Sequence, residues 1–375
     1  MPARLATILI VAAACLGWMR LPGAAQAAGE LPVSEAQAIY TFGSELTIEG
    51  RLPSNPLPQS ATVYWQAQGE ASARDRQAVI DEQGLARAVI DLQQAPLPPF
   101  AQVDYWFAAV LADGQMVSSP RFSFRYEDNR FTWQSLQAPP LSVHWYEGDA
   151  GFGEDLLNTA QAGLQQAQRL LPSPLPVQLD VYVYHSPREV QTALQLVNLT
   201  WVAGHANPDL NLVLVSVFPG PEQRLEMERQ IPHELMHILL NQNVQKLRAD
   251  GLSAGAYQSL PVWLNEGLAS AAELYPNPDY LLFLEDAVQK RELIPMAELC
   301  TAFPKDASGA VLAYAQAASF TRYLHQKFGA GGLQALVSRY ADGLDCGRGV
   351  EAALGMNLQA LEQRWLQETF QVAPP

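Results

Sequence analysis

Apolar residues recur at every second position from about residue 45 to residue 126, and past residue 222 their spacing turns helical almost throughout. The first half of that statement predicts antiparallel strands with one buried face. "ELTIEGR" alternates Leu46 and Ile48 with polar neighbours, and "TVYWQA" puts Val63 and Trp65 on one side. "RQAVIDEQGLARAVIDL" reads as a hairpin turning near Gly84. "QVDYWFAAVLADGQMV" turns at Asp113-Gly114, and "RFSFRYE" repeats the pattern with Phe122, Phe124 and Tyr126. Short strands packed this densely over residues 30–135 predict a β-sandwich. No catalytic constellation lies within it, so its default role is that of a spacer or interaction module.

A chain of 375 residues has room for two or three domains at roughly 150 residues each. "QSLQAPPLS" at 134–142, with its paired prolines, reads as a boundary. Beyond it the pattern becomes mixed. "LSVHWYEG" is a strand, and residues 151–171 form a helix stopped by "LPSPLP". "VQLDVYVYH" alternates Val177, Leu179, Val181 and Val183 and reads as a strand. Ser186, Pro187 and Glu189 then have the order of an N-cap, first helical residue and capping-box partner, for a helix reaching about Asn198. "NLVLVSVF" at 211–218 is a further strand, and helices follow. A second, α+β domain over residues 140–372, mostly helical in its C-terminal half, is the expectation.

The N-terminus carries Arg4, an apolar run from Leu5 to Met19, and "AQA" at 25–27. This is the layout of a secretory signal peptide over residues 1–27. The run is short for a spanning helix, and an uncleaved membrane anchor is the alternative. Export would remove Cys15 and leave Cys300 and Cys346, an even pair that invites a disulfide; two buried free thiols are the alternative. The formal net charge is −15, which repels phosphate backbones and predicts no nucleic-acid partner.

Two of the six histidines stand in "IPHELMHILL" at 231–240. On a helix, His233 and His237 lie one above the other, close enough for both imidazoles to reach one metal ion. Glu234 points about 100° away, where it need not be a ligand and is free to move a proton. Packed core histidines are the competing reading, and they would still need hydrogen-bond partners. A third ligand is sought downstream in "SLPVWLNEGLASAAEL". Ser259 is placed to cap a helix beginning at Pro261. Glu266 then falls among Val262, Leu264, Leu268 and Ala269, where a carboxylate is costly without a partner. Two histidines and one glutamate make the donor set of a catalytic zinc site.

"HELMH" followed by "WLNEGLAS" resembles the gluzincin zinc metallopeptidases, and especially the secreted bacterial "peptidase MA-like" group. "AYAQAASFTRYLHQKFG" at 313–329 is similar to the helix that follows in that family. The resemblance spans roughly residues 140–370. It implies a zincin-like peptidase domain with one Zn2+ held by His233, His237 and Glu266, Glu234 as general base and acid, and a peptide or protein substrate. The sandwich resembles an immunoglobulin or fibronectin type III module in architecture, which implies a cell-surface partner as one of its uses.

The chain departs from the family's pattern in two places. Aminopeptidase members carry Gly-x-Met-Glu-Asn, whereas "VAGHANPDLNLVLV" has no glutamate, so action other than as an aminopeptidase is expected. Members with an Asp four residues after the ligand glutamate use it to orient a histidine; Ser270 stands there, and Asn241 and Asn265 are the substitutes considered against a reading as solvent-facing amides. Tyr314 is the candidate to stabilise an oxyanion, against a reading as core tyrosine. His205 is a weaker candidate, before a strand able to bind an extended peptide edge-on. His144, His185 and His325 have no metal spacing. Two other functions remain open: a non-catalytic metal-containing binding protein, and a zinc hydrolase of a non-peptide bond.

Overall fold

The computed structural model describes residues 30–195, 204–251 and 257–372. The signal-peptide expectation, and the far end of the helix expected to reach Asn198, lie outside the described residues.

The chain opens on an antiparallel eight-stranded sheet: β1 (Ser34–Thr41), β2 (Glu45–Arg51), β3 (Ser60–Ala67), β4 (Arg74–Ile80), β5 (Leu85–Asp91), β6 (Gln102–Val110), β7 (Met116–Ser118) and β8 (Phe122–Arg125). The order is β1-β2-β5-β4-β3-β6-β7, with β8 also on β6. β4 joins two halves, since Ala78 pairs with Ala61 of β3 while Val79 and Ile80 pair with β5. Leu46, Ile48 and Ile90 from one half share a single core with Val63, Trp65 and Phe107 from the other. The alternation in the sequence supplies those inward side chains.

The stretch read as a boundary is itself a hairpin. β9 (Gln134–Ala138) and β10 (Leu141–Trp145) pair antiparallel across Pro139-Pro140, where residues without an N–H cost no ladder bond. They begin a second sheet, completed by β11 (Leu179–Tyr184), β12 (Gly204–Asn207) and β13 (Leu212–Ser216), in the order β12-β13-β11-β10-β9. β10, β11 and β13 are parallel, and β12 runs antiparallel along β13 as an edge. The edge-on peptide site considered at β13 is therefore displaced, because β13 is paired on both sides and β12 carries the free edge.

β11 differs from its expected register. Val177 precedes the strand and is 98% exposed, and Tyr182 and Tyr184 are buried beside Val181 and Val183. Both faces of the sheet are covered, which erases alternation. Val181, Val183, Val213 and Val215 join the helical core, while Tyr182, Tyr184, Leu212 and Leu214 join the core of the first sheet.

The helices are α1 (Ala150–Leu170), α2 (Pro187–Ala193), α3 (Gln223–Ala249), α4 (Val262–Ala272), α5 (Pro278–Lys290), α6 (Ala307–Ala341), α7 (Cys346–Leu354) and α8 (Leu358–Phe370). Ser186 is the N-cap of α2, yet its hydroxyl donates to the Glu189 carboxylate instead of accepting from the helix. Ser259 does not cap α4, whose N-cap is Pro261; its hydroxyl donates to the Tyr340 carbonyl 2.9 Å away. Cys300 and Cys346 form a disulfide that ties the turn before α6 to the start of α7. Among the described residues no helix is long and apolar enough to cross a membrane.

One buried carboxylate, Asp128, links the loop between the two sheets to the second sheet. Asp128 is fully buried and receives Arg130 Nε at 2.8 Å and Nη2 at 2.6 Å. Tyr184 of β11 donates its hydroxyl to the same carboxylate at 3.0 Å. Removing Asp128 strands a guanidinium and a buried phenol together. Asp128→Ala is expected to lower the unfolding free energy by about 3 kcal/mol, measured by chemical denaturation. A loss below about 1 kcal/mol would show that Asp128 is not that link.

Candidate metal centre

α3 is buried along most of its circumference: Met227, Ile231, Leu235, Met236, Ile238 and Leu239 are fully enclosed. That packing leaves His233, Glu234 and His237 part-exposed on the remaining side. α4 crosses nearby with Trp263, Leu264 and Leu268 buried, and so presents Glu266 to the two histidines. The Nε2 atoms of His233 and His237 lie 3.5 and 3.8 Å from Glu266 Oε2. Ligands about 2.0–2.1 Å from one tetrahedral zinc stand roughly 3.3–3.5 Å apart, so the three side chains fit such an ion with small adjustments. Among the described residues, this is the group of three donors that converges in this way.

The outward nitrogens are held as well. His233 Nδ1 meets Glu273 Oε1 at 3.2 Å, and His237 Nδ1 meets Asn265 Oδ1 at 3.0 Å. The Tyr257 hydroxyl donates to Asn265 Oδ1 at 2.8 Å and lies 3.2 Å from His237 Nδ1. Acceptors at both Nδ1 positions favour the tautomer with Nε2 free to bind a cation.

The charge distribution agrees. Burial works against a charged His233, but bonds to Glu266 and Glu273 and the nearby Glu234 outweigh it and push the pKa up to about 10. Burial likewise works to raise Glu266, but His237, His233 and a bond from Tyr314 hold it below the ordinary glutamate value. The cluster stabilises positive charge at its centre, which is what a divalent cation provides.

Glu234 is held apart from this set. A Cβ on Gly204 would lie 2.6 Å from Glu234 Oε1, so the carboxylate rests against the bare backbone of the β12 edge. A larger residue there would push the carboxylate aside. Tyr314 reaches the site from α6: its ring is 6.3 Å from that of His233, and Phe303 packs edge-on against it at 5.0 Å. Burial and the Glu266 charge push its phenol pKa well up, so the hydroxyl stays protonated and can donate a hydrogen bond. His205 is on β12, near Glu234 and His237. It is surface-accessible, yet crowding lowers its pKa despite the opposing charge of Glu234.

Of the two amides considered, Asn265 bonds to His237, and Asn241 is buried within α3 rather than facing solvent. His144 and His185 pair with Asp180 and Glu147 elsewhere. Sequence reasoning missed Glu273, which stands seven residues after Glu266 and hence two turns along the same face of α4. Attention to position 270 alone hid it; Ser270 is fully buried there. Tyr257 was also missed, and no spacing pointed to it.

Two imidazoles and a carboxylate aimed at one point form a candidate metal site, with a second carboxylate beside it. The model of the Peptidase MA superfamily matches residues 159–371, more than half of the chain, and the chain belongs to that superfamily. No curated protein shows significant sequence similarity to it. Among solved structures, the M1 zinc metallopeptidase from Deinococcus radiodurans is similar over 92% of this chain and 96% of its own, at 12% identity and a TM-score of 0.39. The fn3 domain of human contactin 1 is similar over 33% of this chain and 93% of its own, at 16% identity and a TM-score of 0.22. Neither likeness carries weight for the chemistry, which rests on the side chains above.

Glu273→Ala leaves the three inward donors in place but frees the His233 ring. Its zinc affinity, measured by chelator competition, is expected to fall 10- to 100-fold (an order-of-magnitude range for outer-shell partners). Unchanged affinity would mean that the bond to His233 does not orient the ring.

Proposed function

We propose that this protein is a zinc-dependent metallopeptidase acting on peptide or protein substrates outside the cytoplasm, and not as an aminopeptidase. The observation that supports it best is the convergence of His233, His237 and Glu266 with Glu234 held separately against Gly204. A purely structural metal site has no use for that fourth side chain.

His233, His237 and Glu266 would hold the zinc, which when bound would supply a Lewis acid for the scissile carbonyl and make the attacking water more acidic. Glu234 takes a proton from that water on a carboxylate oxygen as the carbon–oxygen bond forms. It then delivers the proton to the leaving amine nitrogen as the carbon–nitrogen bond breaks. Tyr314 donates a hydrogen bond to the carbonyl oxygen as negative charge builds there and keeps its proton. The free edge of β12, next to Glu234, offers backbone donors and acceptors to an extended peptide. Its residues Gly204-His205-Ala206-Asn207 include no carboxylate to bind a substrate amino terminus, which supports the exclusion of aminopeptidase action. The leader-like N-terminus supports export, with an uncleaved anchor as the variant of that reading. The first sheet, built as an immunoglobulin- or fibronectin-like sandwich, serves as the module for a cell-surface partner.

Glu234→Gln is expected to keep one zinc per chain and to lose about 100- to 10,000-fold in turnover on casein or a peptide library. Full activity in that variant would overturn the role of Glu234. A wild-type protein without zinc would favour a binding protein, and zinc without peptide cleavage would favour hydrolysis of a non-peptide bond.

A further inference from the structure

Pro232 sits inside α3, immediately before His233. In an uninterrupted helix the carbonyl of Glu228 accepts from the amide four residues on. Here that residue is proline and has no N–H. The freed carbonyl accepts instead from the amide of Leu274 at 2.9 Å, with the amide of Tyr275 at 3.4 Å. Both amides lie where the chain leaves α4. Glu273, the C-cap, is extended there (φ −53°, ψ 131°), which turns the next amides away from the helix and leaves them in need of a partner. The side chains of the neighbouring residues, His233 and Glu273, bond to each other at 3.2 Å. A backbone link and a side-chain link therefore join α3 to α4 next to each other, at the edge of the candidate metal centre.

We propose that Pro232 is a positioning residue: by releasing the Glu228 carbonyl to the Leu274 amide it fixes α4 against α3, and so sets the distance of Glu266 from His233 and His237. This rests on the reading of those three residues as a metal site. A proline in a helix interior is unfavourable in itself. An alanine there would form the helical bond and compete for the carbonyl that α4 uses. The ring of Pro232 also packs on Gly163 of α1, so loss of packing has to be separated from loss of the link.

The test uses the full chain and measures zinc affinity by chelator competition in the wild type, Pro232→Ala, Leu274→Pro and the double variant. Leu274→Pro removes the donor from the other side, and the extended backbone of Glu273 suits a residue preceding proline. Each single variant is expected to bind zinc about 10-fold more weakly. The double variant is expected to bind no more weakly than the worse single one, because both substitutions break the same link. A merely structural role for the proline predicts losses that multiply. Wild-type affinity in Pro232→Ala, or multiplying losses, overturns the positioning role and leaves the metal reading intact. A wild type that binds no zinc overturns both. Should a variant fail to fold, amide exchange in the zinc-loaded wild type decides: slow exchange at Leu274 supports the link, and exchange as fast as in an open loop overturns it.

Discussion

The candidate centre depends on two helices meeting at a set distance. His233 and His237 come from α3, and Glu266 and Glu273 come from α4, so no spacing within either helix brings the set together. The helical repeat aligns the two histidines; tertiary packing has to supply the rest. Metal ligands tolerate only small errors in position, so the contact needs more than apolar surfaces in apposition. Here it has the buried faces of both helices, the bond between His233 and Glu273, and the Glu228 carbonyl turned toward Leu274.

The platform beneath is a sheet buried on both faces. Helices cover one side of β11 and β13, and the first sheet covers the other. The Tyr184 hydroxyl on Asp128, itself paired with Arg130, ties β11 to the loop that leads out of the first sheet. A strand clamped in this way keeps β12 beside α3, and β12 is where Gly204 meets Glu234. The all-β region thus bears on the site indirectly, by covering the sheet whose edge lies against Glu234.

Much of this was legible in the sequence, and the exceptions share a cause. His233, Glu234 and His237 were readable because their spacing is local to one helix. Glu266 was readable because a carboxylate in an apolar helix needs a partner. The strands of the first sheet were readable because one face is buried and the other is not. β11 was misjudged where two-sided burial removes alternation, and β9 was hidden because prolines that look like a linker also suit a hairpin turn. Glu273 and Tyr257 contact the histidines only through tertiary packing. Asn265 could be guessed as a partner from its place beside Glu266, but its bond to His237 needed coordinates. The role of Gly204 is likewise invisible from a strand of four residues. Residues whose work is local leave a pattern in the chain, whereas residues that hold two elements together leave none.

The central claim is that His233, His237 and Glu266 hold one zinc ion. X-ray absorption at the zinc edge, on the purified chain with one equivalent of zinc, tests it most directly. Two imidazole nitrogens at about 2.0–2.1 Å, with carboxylate and water oxygens completing the coordination, are expected. One imidazole is expected to disappear from the shell in either single histidine-to-alanine variant. A shell of water oxygens alone, or one indifferent to both substitutions, would contradict it.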